Sequence, residues 1–574
     1  MNKTILFLFF VFNSILFTQK SIGQISVTID TTVKHQTVFG WGAGLRRGTQ
    51  SFYAHNPAIP ASIINHVEDL CFNQLHVNIV RALCQATMEP VNDNNDPFSL
   101  DTSKLDWSYY DTKTKDIHAI RQAFAVSNGR INYIFSSNNS APPWQKTNNS
   151  ITYGGTILPS MYDEFTEYES AYLLGMQNRY HIKINGFSLF NEPGDSAYFE
   201  TLSSPPSQVK DLIIKMRKRL NSLEQSGSLP HIDIIGPESP IVSAHNPIGV
   251  GKNCIYYLDS AQGGIFADTA AVNSVAIMGT HNYFDESNTA NWAKLKSASK
   301  NKPIWVTEVC SGTPVPFDNS SVNAVIQAKW IHRSFTMADV RAFNMFSFYD
   351  TVPPTGSNNG GLIQYNSSSV TVPKRYYGFK QFVNFVRPGY VRVDASSNNN
   401  HLFVSSYINP AKDTLIMVAI NDTNIILSNV TFYCPNSPFP VIQYATCDSP
   451  DYSTTQLGNI SAPASGNFVA NMQAMSIKTF IIPLNKTATG ISSVFKEANQ
   501  LEIFPNPASD NFIISLPEND NYDITVYDYT GRKIMQNQKE TGKVNIECKQ
   551  FASGLYYVQA KSKAVVLTGK IMKQ

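Results

Sequence analysis

The residues best suited to chemistry are two glutamates, each placed directly after a short apolar run. Glu192 lies in Asn191-Glu192-Pro193, and Glu308 ends Trp305-Val306-Thr307-Glu308. A carboxylate at the end of a buried strand is costly unless it is paired or used. Two carboxylates that face one another are the groups with which most enzymes of glycoside hydrolysis work.

Such a pair must hold its two members in different protonation states, because burial and mutual repulsion raise the pKa of one of them. We assign the acid role to Glu192, and the adjacent Asn191 can offer an amide donor to a substrate hydroxyl. Glu308 is then the anionic nucleophile. An isolated Asn-Glu-Pro also occurs at helix starts and turns, so the hypothesis depends on the elements that carry both residues.

Short apolar runs alternate with amphipathic segments across residues 35–387, which predicts a (β/α)₈ TIM barrel. The predicted strands are Thr37–Gly42, Leu75–Arg81, Ile131–Ser136, Gly186–Asn191, Ile232–Gly236, Ser274–Tyr283, Pro303–Glu308 and Ala342–Tyr349. The clearest predicted helices are Tyr162–Tyr180, Gln208–Leu223, Val322–Met337 and Lys374–Val386. The alternative is an open doubly wound sheet, but no glycine-rich phosphate loop follows the first strand.

In such a barrel the working face lies at the carboxyl ends of the strands. Glu192 ends the fourth predicted strand and Glu308 the seventh, so the two side chains can meet across the mouth. A retaining enzyme needs a separation of about 5–5.5 Å and an inverting enzyme about 6.5–9.5 Å. The sequence leaves both separations open.

Other polar candidates end neighbouring strands. Arg81 ends the second strand and can keep Glu308 ionised, although a purely structural ion pair is the alternative. His281 and Tyr283 end the sixth strand. We expect Tyr283 to donate its hydroxyl to Glu308 and His281 to bind substrate, unless that histidine is simply packed in the core.

Aromatic residues supply candidate surfaces for the flat faces of sugars. Trp144 lies in a proline-rich loop after the third strand, Trp41 lies at the first strand end, and Phe348 and Tyr349 lie on the eighth. We predict substrate contact for Trp144, Tyr349 and Trp41, with core packing as the alternative for each aromatic.

The remaining segments predict further domains. Short β-runs predict a β-sandwich side domain built from residues 24–34 and 388–485. Residues 486–497 have the composition of a linker, and residues 498–574 that of a small all-β domain.

Composition and the N-terminus bear on the location of the protein. The chain has 45 Lys and Arg against 43 Asp and Glu, a net charge of +2, which gives no case for a nucleic-acid or acidic-membrane partner. Residues 1–23 are predicted to be a signal peptide, and no other stretch predicts a transmembrane helix. Seven cysteines leave at least one thiol free, although Cys434 and Cys447 could pair. No spacing indicates a metal site, and two-carboxylate hydrolysis needs no cofactor.

Six motifs in order resemble glycoside hydrolase family 30 over about residues 25–485. They are Gly40-Trp41-Gly42-Ala43-Gly44, Ser140-Ala141-Pro142-Pro143-Trp144-Gln145-Lys146, Phe190-Asn191-Glu192-Pro193, Trp305-Val306-Thr307-Glu308, the run from Lys374 to Phe382, and the run from Arg387 to Val393. The resemblance implies a retaining mechanism, a (β/α)₈ barrel and a side β-domain built from both ends of the catalytic region.

The loop Thr147–Leu158 and the run Arg387–Val393 look most like the bacterial xylanase branch of that family. Where that branch carries tryptophans at the end of strand eight, this chain has Phe348 and Tyr349. The branch that recognises glucuronic acid uses an arginine after strand eight, whereas residues 350–373 contain no Arg or Lys. Other family members cut β-1,6-glucan, β-1,6-galactan, β-fucosides or glucosylceramide.

The last block resembles the C-terminal sorting domain of the type IX (Por) secretion system. The shared pieces are Phe504-Pro505-Asn506-Pro507, Thr530-Gly531-Arg532 and Gly554-Leu555-Tyr556-Tyr557-Val558. The resemblance implies that the secretion machinery is a partner and that the protein is secreted or attached to the cell surface.

The leading hypothesis is therefore a secreted endo-β-glycosidase of a polysaccharide, xylan before β-1,6-glucan or β-1,6-galactan. The hypothesis from another class is a surface carbohydrate-binding protein on a barrel that has lost catalysis, because fold alone does not fix function.

Overall fold

The computed structural model describes most of the chain in two compact units, 1–486 and 487–574. The described residues are 24–45, 52–54, 58–242, 253–283, 290–310, 319–351, 360–435, 437, 439–461, 466–484, 501–517, 520–528, 532–562 and 565–573. The predicted signal peptide and the predicted linker 486–497 lie outside these residues.

Eight parallel strands close into a barrel in the larger unit, which confirms the predicted fold class. After the side-domain strand β1 (Ser26–Thr37), the barrel strands are β2 (Gly40–Gly44), β3 (Ile79–Cys84), β4 (Tyr133–Asn138), β5 (Gly186–Ser188), β6 (Asp233–Ser239), β7 (Val275–His281), β8 (Ile304–Glu308) and β9 (Ala342–Met345). Each strand pairs in parallel with the next in the chain, and β2 pairs with β9 to close the ring.

Helices follow the strands, as the alternating pattern predicts. The α-helices are α1 (Ala61–Glu68), α2 (Asp116–Val126), α3 (Tyr162–Tyr180), α4 (Pro206–Gln225), α5 (Cys254–Leu258), α6 (Thr269–Ser274), α7 (Ala290–Ala298), α8 (Ser321–Ala338) and α9 (Lys374–Val383). The predicted bounds of α3 match the structure, because its buried face recurs at helical spacing from Phe165 to Met176.

Bulky side chains fill the interior of the barrel, as expected for a packed core rather than a pore. The interior cluster comprises Ile79, Tyr133, Phe135, Ile235, Ile277, Trp305 and Ala342. These side chains close the lower part of the ring, so polar residues at the carboxyl ends of the strands are left to form the floor of the open end.

The predicted eighth strand, Ala342–Tyr349, is divided in the structure. Its first part is β9, whereas β10 (Ser347–Thr351) leaves the barrel and pairs in parallel with β11 (Gly361–Tyr365). The strand β12 (Val370–Thr371) completes this small sheet. An unbroken apolar run does not reveal such a division, because both parts are buried.

The side domain contains one continuous nine-stranded sheet, whose facing parts pack on each other as in the predicted sandwich. Its further strands are β13 (Val391–Ser397), β14 (Leu402–Ile408), β15 (Thr414–Asn421), β16 (Leu427–Tyr433), β17 (Ile442–Cys447), β18 (Tyr452–Gln456), β19 (Asn467–Met472) and β20 (Ser476–Pro483). Their order is β18-β17-β20-β15-β14-β13-β1-β16-β19.

This sheet curls so that its two ends share one core. Phe480 of β20 lies 5.0 Å from Phe432 of β16 and 5.3 Å from Phe468 of β19, measured between ring centroids. The curl therefore encloses an apolar core between two facing layers, which is the arrangement of a β-sandwich.

The smaller unit contains two antiparallel sheets around its own core. One sheet has the order β21 (Glu502–Phe504), β22 (Asn511–Ser515) and β25 (Lys543–Glu547). The other has the order β24 (Lys533–Glu540), β23 (Tyr522–Asp528), β26 (Gly554–Lys561) and β27 (Val566–Lys573). Phe512, Ile524 and Val558 are among the residues of its core.

All seven cysteines are free thiols in the structure, so Cys434 and Cys447 do not form the disulfide that their spacing allows. None of the helices in the described part of the chain is long and apolar enough to cross a bilayer.

Candidate active site

Glu192 and Glu308 meet at the open end of the barrel. Glu308 is the last residue of β8, and Glu192 follows the end of β5 with a positive φ of 52°. Their side chains are almost completely buried, with residue exposures of 9% and 5%. One oxygen of each carboxylate lies within 4.8 Å of the other. The two strands therefore bring together the pair that the sequence singles out.

Arg81 connects the nucleophile candidate with the residue beside the acid candidate. Its Nη1 donates to Oε2 of Glu308 at 2.5 Å, and its Nη2 donates to Oδ1 of Asn191 at 2.6 Å. Arg81 is in the middle of β3 and not at its end as predicted, and its long side chain reaches the rim. The second bond fixes the orientation of the Asn191 amide, so the NH₂ group faces away from Arg81.

Tyr283 and His281 approach the glutamates from the sixth barrel strand. The hydroxyl of Tyr283 donates to Oε1 of Glu308 at 2.7 Å. Nδ1 of His281 lies 2.9 Å from Oε1 of Glu192 and 3.7 Å from Oε1 of Glu308. The His281 ring is fully buried against these carboxylates, so it presents no surface to a sugar. The structure therefore contradicts the expectation that His281 binds substrate directly.

Glu238 is a third glutamate of the site, and the sequence analysis missed it. It lies on β6, is fully buried and has a positive φ of 59°. One of its oxygens lies 3.1 Å from Nη2 of Arg81 and 3.8 Å from Nε2 of His281. Its other oxygen accepts a bond from Ser137 at 2.7 Å. The signal was present, because Glu238 follows the predicted strand Ile232–Gly236.

The charges of the supporting residues follow from these contacts. Burial raises the pKa of Glu238, but Arg81, His281 and Ser137 outweigh it and lower that pKa to about 2. Burial lowers the pKa of His281, but Glu308, Glu192 and Glu238 together raise it to about 9. Near neutral pH, Glu238 is therefore an anion and His281 a cation.

The two central glutamates differ in their affinity for a proton. Burial raises the pKa of Glu192, the nearby Glu308 raises it further, and the bond from His281 opposes both. Burial also raises the pKa of Glu308, but His281, Arg81 and Tyr283 outweigh it and lower that pKa below its usual value. Glu192 therefore binds its proton more tightly than Glu308, which is the order of affinities that an acid and a nucleophile require.

Oxygen and nitrogen atoms of Glu192, His281 and Glu308 also lie close enough to surround a metal ion. The charges around them argue against that use. Arg81 and the protonated His281 already neutralise the anionic carboxylates, so a divalent cation would meet two positive groups instead of an anionic pocket. The arrangement suits proton transfer and nucleophilic attack.

The structure places two of the predicted aromatic contacts in the core. Trp41 has no exposed surface, stacks on Phe335 with a centroid distance of 5.0 Å, and donates its indole N–H to the carbonyl of Val386 at 2.6 Å. Tyr349 is also fully buried and packs against Phe52. Neither side chain reaches a substrate, since Trp41 points to the surrounding helices and Tyr349 lies on the strand that leaves the barrel.

Trp144 lies in the loop after β4, in a short 3₁₀ turn over Pro143–Gln145. Its ring is half-buried, and its indole N–H donates to the main-chain carbonyl of Glu89 at 3.0 Å. The bond fixes the ring on the face of the barrel that carries Glu192 and Glu308. A sugar contact of Trp144 stays a prediction.

Comparison with known proteins yields relatives for both parts of the chain. A family model described as "Secretion system C-terminal sorting domain" matches residues 502–574. The curated protein Glucuronoxylanase XynC of Bacillus subtilis (strain 168) is 26% identical over 375 residues, which cover 62% of this chain and 75% of the relative.

Solved structures share the barrel and its side domain. A glycoside hydrolase family 30 subfamily 8 xylanase from Clostridium acetobutylicum superposes with a TM-score of 0.59 at 22% identity, over 80% of this chain and 99% of that protein. An endo-β1,6-glucanase superposes with the same TM-score of 0.59 at 15% identity, over 80% of this chain and 94% of that protein. The chain therefore has xylanase-like homologues, shares its fold with structures of glycoside hydrolase family 30, and carries a type IX secretion sorting domain at residues 502–574.

Proposed function

We propose that the protein is a secreted retaining endo-β-glycosidase that cleaves a polysaccharide, with xylan as the first candidate. The observation that carries the proposal is the close approach of Glu192 and Glu308, which have oxygens within 4.8 Å of each other and pKa values displaced in opposite directions. An approach this close favours the separation of about 5–5.5 Å of a retaining mechanism over the about 6.5–9.5 Å that leaves room for the water of an inverting one.

In the first step Glu308 attacks the anomeric carbon while Glu192 protonates the departing glycosidic oxygen. Arg81 and Tyr283 each hold one oxygen of Glu308, so the carboxylate is fixed and kept ionised before attack. The product of this step is a glycosyl ester on Glu308. Asn191, oriented by Arg81, has its NH₂ group free to donate to a sugar hydroxyl beside the reacting carbon.

In the second step Glu192, now ionised, removes a proton from water, and the water oxygen attacks the glycosyl ester. Glu308 leaves as a carboxylate, and two inversions give retention at the anomeric carbon. His281, at 2.9 Å, stabilises the anionic form that Glu192 takes between the two steps. One residue thus serves first as acid and then as base.

The preference for xylan follows from the relatives and from the loops. The curated relative is named a glucuronoxylanase, and one solved relative is named a xylanase. Residues 350–373 contain no Arg or Lys, so this chain has no cation there for an acidic side group. We therefore infer that a glucuronate substituent is not required. The glucanase of the same fold makes β-1,6-glucan the alternative substrate.

The proposed route outside the cell begins with the predicted signal peptide and ends with the sorting domain. The matched family at residues 502–574 implies an interaction with secretion machinery. We infer that the barrel acts in the medium or at the cell surface.

The test uses purified protein on unsubstituted xylan, glucuronoxylan, β-1,6-glucan and β-1,6-galactan. We expect release of oligosaccharides from both xylans, and product with the β configuration in NMR spectra recorded within the first minutes. The Glu308→Gln variant is the control, because it keeps shape and removes the nucleophile. Saccharide binding without product from the wild-type protein would favour a non-catalytic carbohydrate-binding role, and a first product of α configuration would contradict retention.

A further inference from the structure

A second group of carboxylates lies apart from Glu192 and Glu308. Glu89 belongs to the loop after β3, Asp93 follows it on the same loop, and Glu167 projects from α3. One oxygen of each residue lies within 4.8 Å of the corresponding oxygens of the other two. The sequence gives no sign of this group. At least 74 residues separate the two loop residues from Glu167 in the chain, and only folding brings them together.

Two of these carboxylates are buried, and one oxygen of Glu89 has no partner within the described part of the structure. Glu89 is 1% exposed, and its Oε2 has no hydrogen-bond partner among the residues that the structure describes. Its Oε1 accepts only a long bond, 3.3 Å, from the main-chain N–H of Asp93. Glu167 is 2% exposed. A buried carboxylate without a compensating donor is costly, so the group needs either protons or a cation.

The nearest basic side chain does not supply that cation. Arg219 of α4 lies close enough to lower the pKa of Glu167. Its guanidinium, however, donates to the main-chain carbonyl of Asp163 at 3.2 Å and lies over the ring of Phe98 at 5.2 Å. In the described part of the chain, Arg219 makes no ion pair within 4.0 Å with any of the three carboxylates.

The geometry supports the same conclusion. Three carboxylates with oxygens within 4.8 Å of one another repel each other when they are ionised, and a bound cation would relieve that repulsion.

We propose that Glu89, Asp93 and Glu167 form a binding site for a divalent cation of the hard, oxygen-preferring class, with Ca²⁺ as its ion. Ca²⁺ accepts about six to eight oxygen ligands, carboxylates among them, in a flexible geometry. Mg²⁺ usually keeps several waters and takes only one or two carboxylates. A group of three protein carboxylates therefore favours Ca²⁺.

A cation at this site would be linked to Trp144, which lies on the face of the barrel that carries Glu192 and Glu308. The main-chain carbonyl of Glu89 accepts the indole N–H of Trp144. An ion that fixes Glu89 therefore also fixes the loop on which the Trp144 side chain rests. The binding proposal itself does not depend on the catalytic proposal.

Calorimetric titration of the EDTA-treated full chain with CaCl₂ tests the site. We expect one ion per chain and a rise in Tm of about 2 °C or more at saturating Ca²⁺. Glu167→Gln and Asp93→Asn should each weaken binding at least tenfold and remove the rise in Tm. Asp93 is only half-buried, so its variant should fold even if the other does not.

Glu169→Gln is the matched control, because Glu169 is a buried glutamate on the same helix whose Oε1 accepts a bond from Asn138 at 3.1 Å. It should keep the Ca²⁺ response of the wild type. Absence of heat and of any Tm change at millimolar Ca²⁺ overturns the site. An equal response in Asp93→Asn overturns the assignment of its ligands, and an equal response to MgCl₂ overturns the assignment of Ca²⁺.

Discussion

The main-chain N–H of Glu192 donates to the carbonyl of Glu238 at 3.0 Å, and both residues have positive φ angles, 52° and 59°. Such angles are uncommon outside glycine and cost about 1–3 kcal/mol each. They persist where the surroundings hold them, often at functional sites. The position of the proposed acid/base residue thus depends on a glutamate of the neighbouring strand.

The first prediction concerns Glu238 as a positioning residue. Glu238→Gln removes the anion beside Arg81 and His281, so the pKa of His281 should fall below its value of about 9. We expect kcat to fall about 10–100-fold with little change in KM, because Arg81 and His281 lose their fixed positions.

NMR titration of the His281 ring is the decisive measurement for this variant. Ser137→Ala is its control, since it removes one hydrogen bond to Glu238 and leaves the charge. An unchanged pKa of His281 in Glu238→Gln, together with normal kcat, would show that Glu238 is only part of the core.

The second prediction tests the nucleophile. Glu308→Ala should lower turnover by about a thousandfold or more, because the covalent intermediate cannot form. Added azide should attack from the side that the carboxylate vacates and restore turnover, giving a glycosyl azide of α configuration. NMR of the product reads this outcome, and an azide product of β configuration would assign Glu308 a different role.

The third prediction tests the acid/base residue. Glu192→Ala should slow hydrolysis of the polysaccharide about 10²–10⁴-fold, since the leaving oxygen is no longer protonated. A dinitrophenyl glycoside needs no such protonation, so its first step should remain fast, and azide should give the β-glycosyl azide. Equal losses for both substrates, with no effect of azide, would argue against an acid/base role for Glu192.

The fourth prediction concerns pH. The bond from Tyr283 lowers the pKa of Glu308, and Tyr283→Phe removes it, so that pKa should rise. Because Glu308 must be ionised to attack, the acidic limb of kcat/KM against pH should move to higher pH. The alkaline limb, which follows the raised pKa of Glu192, should move less. A lower kcat/KM at every pH, with neither limb shifted, would contradict this assignment.

The fifth prediction separates a core tryptophan from a cleft tryptophan. Trp41→Phe loses the bond to Val386 and part of the stack on Phe335, so Tm should fall while KM stays unchanged. Trp144→Ala should raise KM for the polysaccharide several-fold, because a sugar would lose its apolar platform. An equal increase in KM for Trp41→Phe and Trp144→Ala would contradict the distinction between a core and a cleft tryptophan.

Much of the fold could be predicted from the sequence because its signals are local. The apolar runs give the barrel strands, and the spacing from Phe165 to Met176 gives α3 almost residue by residue. Glu192 and Glu308 were found in the same way, since each follows a buried run. The predicted roles of these residues await the experiments above.

The predictions failed where one sequence pattern is compatible with two structural positions, in the cleft or in the core. Trp41 and Tyr349 lie next to strand ends, as cleft residues do, but the direction of each side chain depends on packing partners far away in the chain. Glu238 was not singled out, although it follows the predicted strand Ile232–Gly236 and so obeys the same rule as the other two glutamates. The cluster of Glu89 and Glu167 exists only after folding, so no local signal could reveal it.

The strand β1 joins the two halves of the side sheet, since it lies between β13 and β16. Val27 faces Ser397 on one side and Phe432 on the other. An early segment of the chain must therefore wait, unpaired, until partners made hundreds of residues later become available. Closure of this sheet therefore follows synthesis of the whole barrel, and the first strand of the chain is among the last to gain its neighbours.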